Sequence, residues 1–172
     1  ERLWRDKYGQ ITQGGGMQKK KRRPHTRALR KGRFSETDQI YLVTTVTQHR
    51  LQHFLNFDCA RAVAKTIRQQ DTSDACQTLA WVLMPDHIHW LFMLRDDDLS
   101  SLVARFKQGS AHKVNHIAGN PGQVLWQRGF HDRAARQDDD VVGLARYIVA
   151  NPLRTGLVEH IGDYPFWDAV WL

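Results

Sequence analysis

The sequence lacks the features that would place the chain in a membrane or in an oxidising compartment. No apolar run approaches the roughly 20 residues that span a bilayer, and we expect no signal peptide. The two cysteines, Cys59 and Cys76, match no disulfide or metal-binding spacing. These absences predict a cytoplasmic protein without membrane contacts, and its 172 residues suffice for one domain with a hydrophobic core.

Acidic residues are absent from residues 17–33 (MQKKKRRPHTRALRKGR), which hold nine of the 25 lysines and arginines. The rest of the chain has the other 16 against 18 acidic residues, so the net charge of +7 resides in this basic arm. Because each lysine or arginine that meets a phosphate releases counterions, we expect the arm to contact nucleic acid; a solvated tail without a partner is the alternative. The nine residues are Lys19, Lys20, Lys21, Arg22, Arg23, Arg27, Arg30, Lys31 and Arg33.

Residues 1–16 (ERLWRDKYGQITQGGG) end in a glycine run directly before Met17. They are either a leader added for expression, with the natural start at Met17, or a native extension on a flexible joint. We therefore expect three parts: residues 1–16, the basic arm at 17–33 and a folded domain at 34–172.

Hydrophobic periodicity predicts an α+β fold for the domain. Three stretches are predicted to be strands: 39–48, 78–85 and 87–94. Three are predicted to be helices: 53–70, 99 towards 117, and 141–151. The short Pro85-Asp86 turn makes the second and third strands antiparallel, and strand-like stretches follow in 123–136. The order predicts an antiparallel sheet covered by helices.

The segment MPDHIHWLF (84–92) places two histidines one residue apart in a predicted strand. Side chains at i and i+2 project from the same face, so His87 and His89 stand side by side with Ile88 on the opposite face. Neutral imidazoles so placed can share a divalent cation. The pair alone is also compatible with two exposed histidines on a half-solvated sheet, and a metal would require a third ligand.

The last predicted helix offers such a ligand in RYIVANP (146–152). Tyr147 and Asn151 are four residues apart, so they lie on the same helical face. Taken separately, Tyr147 is compatible with core packing and Asn151 with an ordinary helix end before proline.

Three sequence blocks, in this order and at these spacings, resemble the REP-associated tyrosine transposases: VLMPDHIH (82–89), WQRGFHDRAAR (126–136) and YIVANPLRTGLV (147–158). These bacterial enzymes are relatives of the single-tyrosine insertion-sequence transposases, within the HUH nucleases (His, hydrophobic residue, His). The HIH motif alone is weakly specific, whereas the three blocks together are strongly specific. The resemblance spans roughly Gly32 to Trp167.

The resemblance implies a ferredoxin-like antiparallel sheet with the HUH motif on a central strand and the catalytic tyrosine on a C-terminal helix. Within residues 34–172, it implies that His87, His89 and Asn151 hold Mg²⁺ or Mn²⁺, and that Tyr147 is the nucleophile. The implied reaction is single-strand DNA cleavage and strand transfer through a 5′-phosphotyrosine. No residue identifies itself as the base that deprotonates Tyr147.

The resemblance also implies the substrate: a REP element, which is an imperfect hairpin with a short tetranucleotide in its single-stranded flank. We expect the enzyme at the bacterial nucleoid, as a monomer, although the sequence leaves a homodimer open. Trp90 and Trp126 are either core residues or platforms for unpaired bases. Besides the basic arm, the candidate DNA contacts are Lys107, Arg128, His131, Arg133, Arg136 and Arg154.

Two other functions are weighed against this one. A nucleotide hydrolase of the histidine-triad kind needs a further histidine at alternating spacing, where this chain has Leu91. A hairpin-binding DNA or RNA protein without catalytic activity needs only the basic arm and the sheet, and leaves His87, His89 and Tyr147 without a joint purpose. Formation of a covalent protein–DNA adduct distinguishes the nuclease from the binding protein.

Overall fold

The computed structural model of the chain describes residues 38–135 and 140–171. The basic arm, the predicted boundaries before residue 34, and Arg136 lie outside these ranges, and the predictions for them stay predictions. Within the described ranges, no helix has the length and apolar character needed to cross a membrane.

Five strands of the described residues form one antiparallel sheet in the order β4-β1-β3-β2-β5. Their bounds are β1 Ile40–Val46, β2 Cys76–Met84, β3 His87–Leu94, β4 His131–Ala134 and β5 Trp167–Ala169. The predicted α+β class is confirmed, and the strand that carries the HIH motif is the central one of the five.

In the described part of the chain, four α-helices accompany the sheet: α1 Phe57–Thr72, α2 Leu99–Ile117, α3 Val141–Val149 and α4 Asn151–Arg154. Acidic residues cap two of these helices: Asp98 accepts a hydrogen bond from the Ser101 amide at the start of α2, and Asp140 accepts one from the Gly143 amide at the start of α3. The first helix starts at Phe57 instead of residue 53, since Asn56 caps it by accepting from the Cys59 amide.

The main hydrophobic core lies between α1, α2 and one face of the sheet, the face of Ile88. Trp90 and Trp126, predicted to be either core residues or platforms for unpaired bases, both belong to this core. The Trp90 indole donates to Thr78 Oγ1 and the Trp126 indole to Ser110 Oγ, each at 3.0 Å. Their rings stabilise the core and are not available to stack on bases.

Helix α3 packs against β2 and β5. Its three buried side chains lie outside the main core: Ala145, Ile148 and Val149. Helix α3 therefore covers the second face of the sheet, on its β2 side. Because side chains alternate along β3, His87 and His89 point towards this second face.

The prediction that the last helix continues to residue 151 and ends before proline was wrong. Helix α3 ends at Val149, and Pro152 lies in the first turn of the separate helix α4. Proline is tolerated there because the first turn of a helix does not need its N–H. In a continuous helix the backbone N–H of residue 152 would donate to the Ile148 carbonyl, but proline has no N–H; the side-chain amide of Asn151 donates to that carbonyl instead, at 2.8 Å.

Candidate active site

His87 and His89 lie next to each other on β3, as the alternation predicted. Their ring centroids are 4.9 Å apart with an interplanar angle of 85°, and Ile88 is buried on the other side of the sheet. Both histidines are partly buried, so their rings line the sheet surface. Whether the two rings can bind a metal ion depends on which nitrogen of each ring, Nδ1 or Nε2, faces away from its hydrogen-bond partner.

Asp86 fixes the orientation of His87. Its Oδ1 lies 2.5 Å from His87 Nδ1, and its Oδ2 accepts from Arg50 Nη1 at 2.8 Å. Burial on its own would raise the pKa of Asp86, but hydrogen bonds and charges from His87 and Arg50 hold that pKa below its ordinary value. An ionised carboxylate only accepts, so Nδ1 of His87 carries a hydrogen and Nε2 is the nitrogen left to meet a ligand.

Thr44 fixes the orientation of the His89 ring. It lies directly opposite His89 in the β1–β3 register, and its Oγ1 is 2.8 Å from His89 Nδ1. Burial, aided by His87 and opposed by Asp86, lowers the pKa of His89 to about 3. His89 is therefore neutral at physiological pH, which is the protonation state that binds a metal, and its Nε2 is free of the bond to Thr44.

Arg50 approaches Asp86 from a backbone in the left-handed region, with φ 56°. This conformation costs a residue other than glycine about 1–3 kcal/mol and is concentrated at functional sites. The sequence analysis missed Arg50, Asp86 and Thr44. Only Asp86 gave a signal, because it directly precedes the first histidine.

We predict that Asp86→Asn raises the Mn²⁺ concentration for half-maximal DNA cleavage about 10- to 100-fold, because outer-shell partners orient metal ligands and increase their basicity. The measurement is a Mn²⁺ titration of cleavage with the variant and the wild type. Asp168→Asn, at an exposed position of β5, is the matched control and leaves the Mn²⁺ requirement unchanged. If Asp86→Asn leaves the Mn²⁺ requirement unchanged, Asp86 does not support the metal ligands.

Tyr147 lies on α3 and Asn151 begins α4, so both belong to the segment that covers the face of the two histidines. The bond from Asn151 Nδ2 to the Ile148 carbonyl fixes which way the amide is turned. In the described part of the chain, no group donates to Asn151 Oδ1. That oxygen is therefore available as a ligand.

Two of the predicted DNA contacts lie on the same face as the histidines. Directly opposed residues of antiparallel strands share a face. Thr44 is opposed by His89 on β3 and by His131 on β4, which places both histidines on one row across the sheet. Arg133 follows two residues after His131 on β4 and shares the face. Arg128 is exposed in the loop before β4.

Lys107, another predicted DNA contact, lies on α2, which packs on the opposite face of the sheet from the histidines. Its Nζ donates to the carbonyls of Gln127 and Gly129, at 2.6 and 2.8 Å. Burial lowers the pKa of Lys107 to about 8, so the ammonium stays charged at neutral pH. These bonds hold the loop that leads to β4.

We predict that Lys107→Met lowers the free energy of unfolding by about 1–2 kcal/mol, because two carbonyls lose a charged donor. Urea unfolding measures the change. Lys65→Met, at an exposed position of α1, is the control and stays within about 0.5 kcal/mol of the wild type. Equal stability of both variants would show that the loop does not depend on Lys107.

His87, His89 and Asn151 suit a cation that accepts nitrogen ligands and an uncharged oxygen ligand. Among residues 38–135 and 140–171, no group of three or more histidine, cysteine, aspartate or glutamate side chains is placed to hold a metal ion. The two imidazoles therefore need a third ligand of another kind, and Asn151 Oδ1 is an amide oxygen of the sort that Mg²⁺ and Mn²⁺ accept.

Comparison with known families agrees with this fold. The family described as "Transposase IS200 like" matches residues 35–151. The chain belongs to this family of transposase enzymes. Its similarity to the REP-associated tyrosine transposases, predicted from the three blocks, is confirmed by individual relatives.

A REP-associated tyrosine transposase of Escherichia coli (strain K12) is 34% identical over 89 residues, which are 51% of this chain and 50% of that protein. A Haemophilus influenzae protein assigned provisionally to the same group is 27% identical over 137 residues, covering 74% of this chain and 77% of that protein. A solved structure of a REP-associated tyrosine transposase bound to a REP hairpin has a TM-score of 0.62 at 27% identity, and covers 78% of this chain and 79% of its own.

Proposed function

We propose that the protein is a metal-dependent, single-strand DNA endonuclease and strand transferase that acts on REP hairpins through a 5′-phosphotyrosine intermediate. The observation that carries the proposal is the orientation of the two histidines. Asp86 and Thr44 bind their Nδ1 atoms, so both Nε2 atoms are left for a ligand on the sheet face that the Tyr147 helix covers. A protein that only binds hairpins has no need of this arrangement.

His87 Nε2, His89 Nε2 and Asn151 Oδ1 are the ligands that would hold the cation. A bound Mg²⁺ or Mn²⁺ would polarise a phosphoryl oxygen and offset negative charge on the leaving oxygen. The low pKa of His89 supplies a neutral imidazole, and the hydrogen bond from His87 Nδ1 to Asp86 leaves Nε2 of His87 to face a ligand. All these ligands and Tyr147 belong to one chain, and we expect a monomer to carry out the reaction.

In the proposed reaction, Tyr147 Oη attacks the scissile phosphorus in line with the bond to the 3′ oxygen. The bond between phosphorus and that oxygen breaks, the 3′ oxygen leaves as a hydroxyl, and the 5′ phosphate stays on Tyr147. The phenol proton passes to a water or another base during the attack, and the leaving 3′ oxygen takes up a proton from water. A second 3′-OH can reverse the attack and join strands without ATP, because the phosphodiester energy is kept in the intermediate.

Single-stranded DNA would lie across the β1–β4 side of the histidine face. His131 and Arg133 share that face, and their contacts to phosphates would position the strand without reading its sequence. The duplex part of the hairpin would meet the basic arm, where lysines and arginines are concentrated. The flanking tetranucleotide would then lie closest to the histidines.

Covalent capture tests the proposal. The full chain is incubated with Mn²⁺ and a REP hairpin that is labelled at the 3′ end and carries its single-stranded flank. We expect an adduct that survives SDS, that depends on the metal, and that contains the DNA downstream of the cut. Tight hairpin binding without cleavage or adduct under any metal condition would instead support the binding protein without catalytic activity.

A further inference from the structure

The side chain of Arg154 lies against the ring of Tyr147. Its guanidinium carbon is 4.2 Å from the centroid of the phenol ring. This distance is well inside the limit of about 6 Å for a cation–π contact. The candidate nucleophile is therefore in contact with a cation of its own chain, seven residues further along.

The break between α3 and α4 positions this arginine. Seven residues of an unbroken helix would separate the two Cα atoms by about 10 Å along the axis. Here α4 is a single turn closed by the Thr155 amide and hydroxyl on the Asn151 carbonyl, at 3.0 and 2.9 Å. Asn151 also joins this turn to α3 through the Ile148 carbonyl. The turn that carries Arg154 is thus tied to the helix that carries Tyr147.

We propose that Arg154 is a positioning residue for Tyr147, which holds the phenol ring in the orientation from which Oη attacks. This inference rests on the proposed function, since it takes Tyr147 as the nucleophile. A guanidinium suits the role because it is planar, always charged and weakly hydrated, and it stacks on aromatic faces where an ammonium does not. Holding a nucleophile in one orientation raises the rate of the chemical step, and a displaced nucleophile loses that gain.

A different role for Arg154 makes different predictions. Arg154 is exposed, and it could act only by contacting a DNA phosphate. In that case its loss would weaken hairpin binding and reduce the salt dependence of binding, but would leave the rate of the bound complex unchanged. If Arg154 positions the ring, its loss lowers the rate of the bound complex and changes the surroundings of Tyr147 even without DNA.

The first test uses the free protein and needs neither metal nor DNA. The full chain is labelled with 3-fluorotyrosine and observed by ¹⁹F NMR. Its four tyrosines are Tyr8, Tyr41, Tyr147 and Tyr164. Loss of one signal in Tyr147→Phe assigns that residue. We expect Arg154→Gln to shift the Tyr147 signal and leave the other three in place. An unmoved Tyr147 signal would overturn the inference.

The second test is the rate of adduct formation in a single turnover at saturating hairpin and Mn²⁺. We expect Arg154→Gln to lower this rate about fivefold, the factor at the upper end of the range for one exposed cation–π contact. Arg154→Lys should recover part of the loss. Arg146→Gln removes the same charge from an exposed position of α3, and its rate should stay within twofold of the wild type.

The two tests separate failure of the inference from failure of the proposed function. If the wild type forms the adduct but Arg154→Gln reacts at the same rate and only binds the hairpin more weakly, Arg154 is a phosphate contact and the inference is wrong. If the wild type forms no adduct, the proposed function fails, and the positioning role fails with it whatever the ¹⁹F spectrum shows.

Discussion

Replacing Tyr147 with phenylalanine will reduce covalent capture of the REP hairpin by more than about a thousandfold, to the detection limit. Phenylalanine keeps the ring and removes only the oxygen that forms the bond to phosphorus. Because the ring and its contact with Arg154 are kept, hairpin affinity should stay within about twofold of the wild type, as measured by fluorescence anisotropy at fixed salt.

Tyr164→Phe is the matched control for this result. The Tyr164 hydroxyl donates to the Leu83 carbonyl at 2.5 Å, and burial raises the pKa of Tyr164 to about 12. Both features make its oxygen a poor nucleophile. The variant should lose about 1 kcal/mol of stability through the missing hydrogen bond and still form the adduct at the wild-type rate. An adduct that persists in Tyr147→Phe would mean that another residue attacks the DNA.

The second large effect is expected at the metal ligands. His87→Ala and Asn151→Ala should each lower cleavage at limiting Mn²⁺ by at least about a hundredfold, since loss of a direct ligand costs more than loss of an outer-shell partner. Cleavage measured across a Mn²⁺ series separates weaker metal binding, which high Mn²⁺ restores, from a defect that it does not restore.

Two controls keep this result interpretable. His160→Ala removes an exposed histidine far along the chain from the motif and should leave the Mn²⁺ series unchanged. Thermal unfolding of Asn151→Ala shows whether the loss of its bond to the Ile148 carbonyl disturbs the fold. If both ligand variants keep the wild-type Mn²⁺ dependence, the three proposed ligands do not hold the metal.

Local patterns predicted the parts of the site that depend on local geometry. The period of two along a strand placed His87 and His89 on one face with Ile88 opposite.

The remaining parts depend on contacts between distant segments. Thr44 meets His89 through the β1–β3 register across 45 residues of chain, and Arg50 meets Asp86 across 36. No spacing in the sequence encodes either contact. Strand β5 has only three residues, too few to show a period, and it was not predicted. Pro152 was misjudged because a proline is equally compatible with the end of one helix and the first turn of the next.

A Mn²⁺-soaked crystal, measured at a wavelength where manganese scatters anomalously, tests the central claim most directly. We predict one peak bonded to Nε2 of His87, Nε2 of His89 and Oδ1 of Asn151, with the Tyr147 hydroxyl directed towards the same ion. A peak bonded to other residues, or a Tyr147 hydroxyl directed away from an ion held by the two histidines, would contradict it.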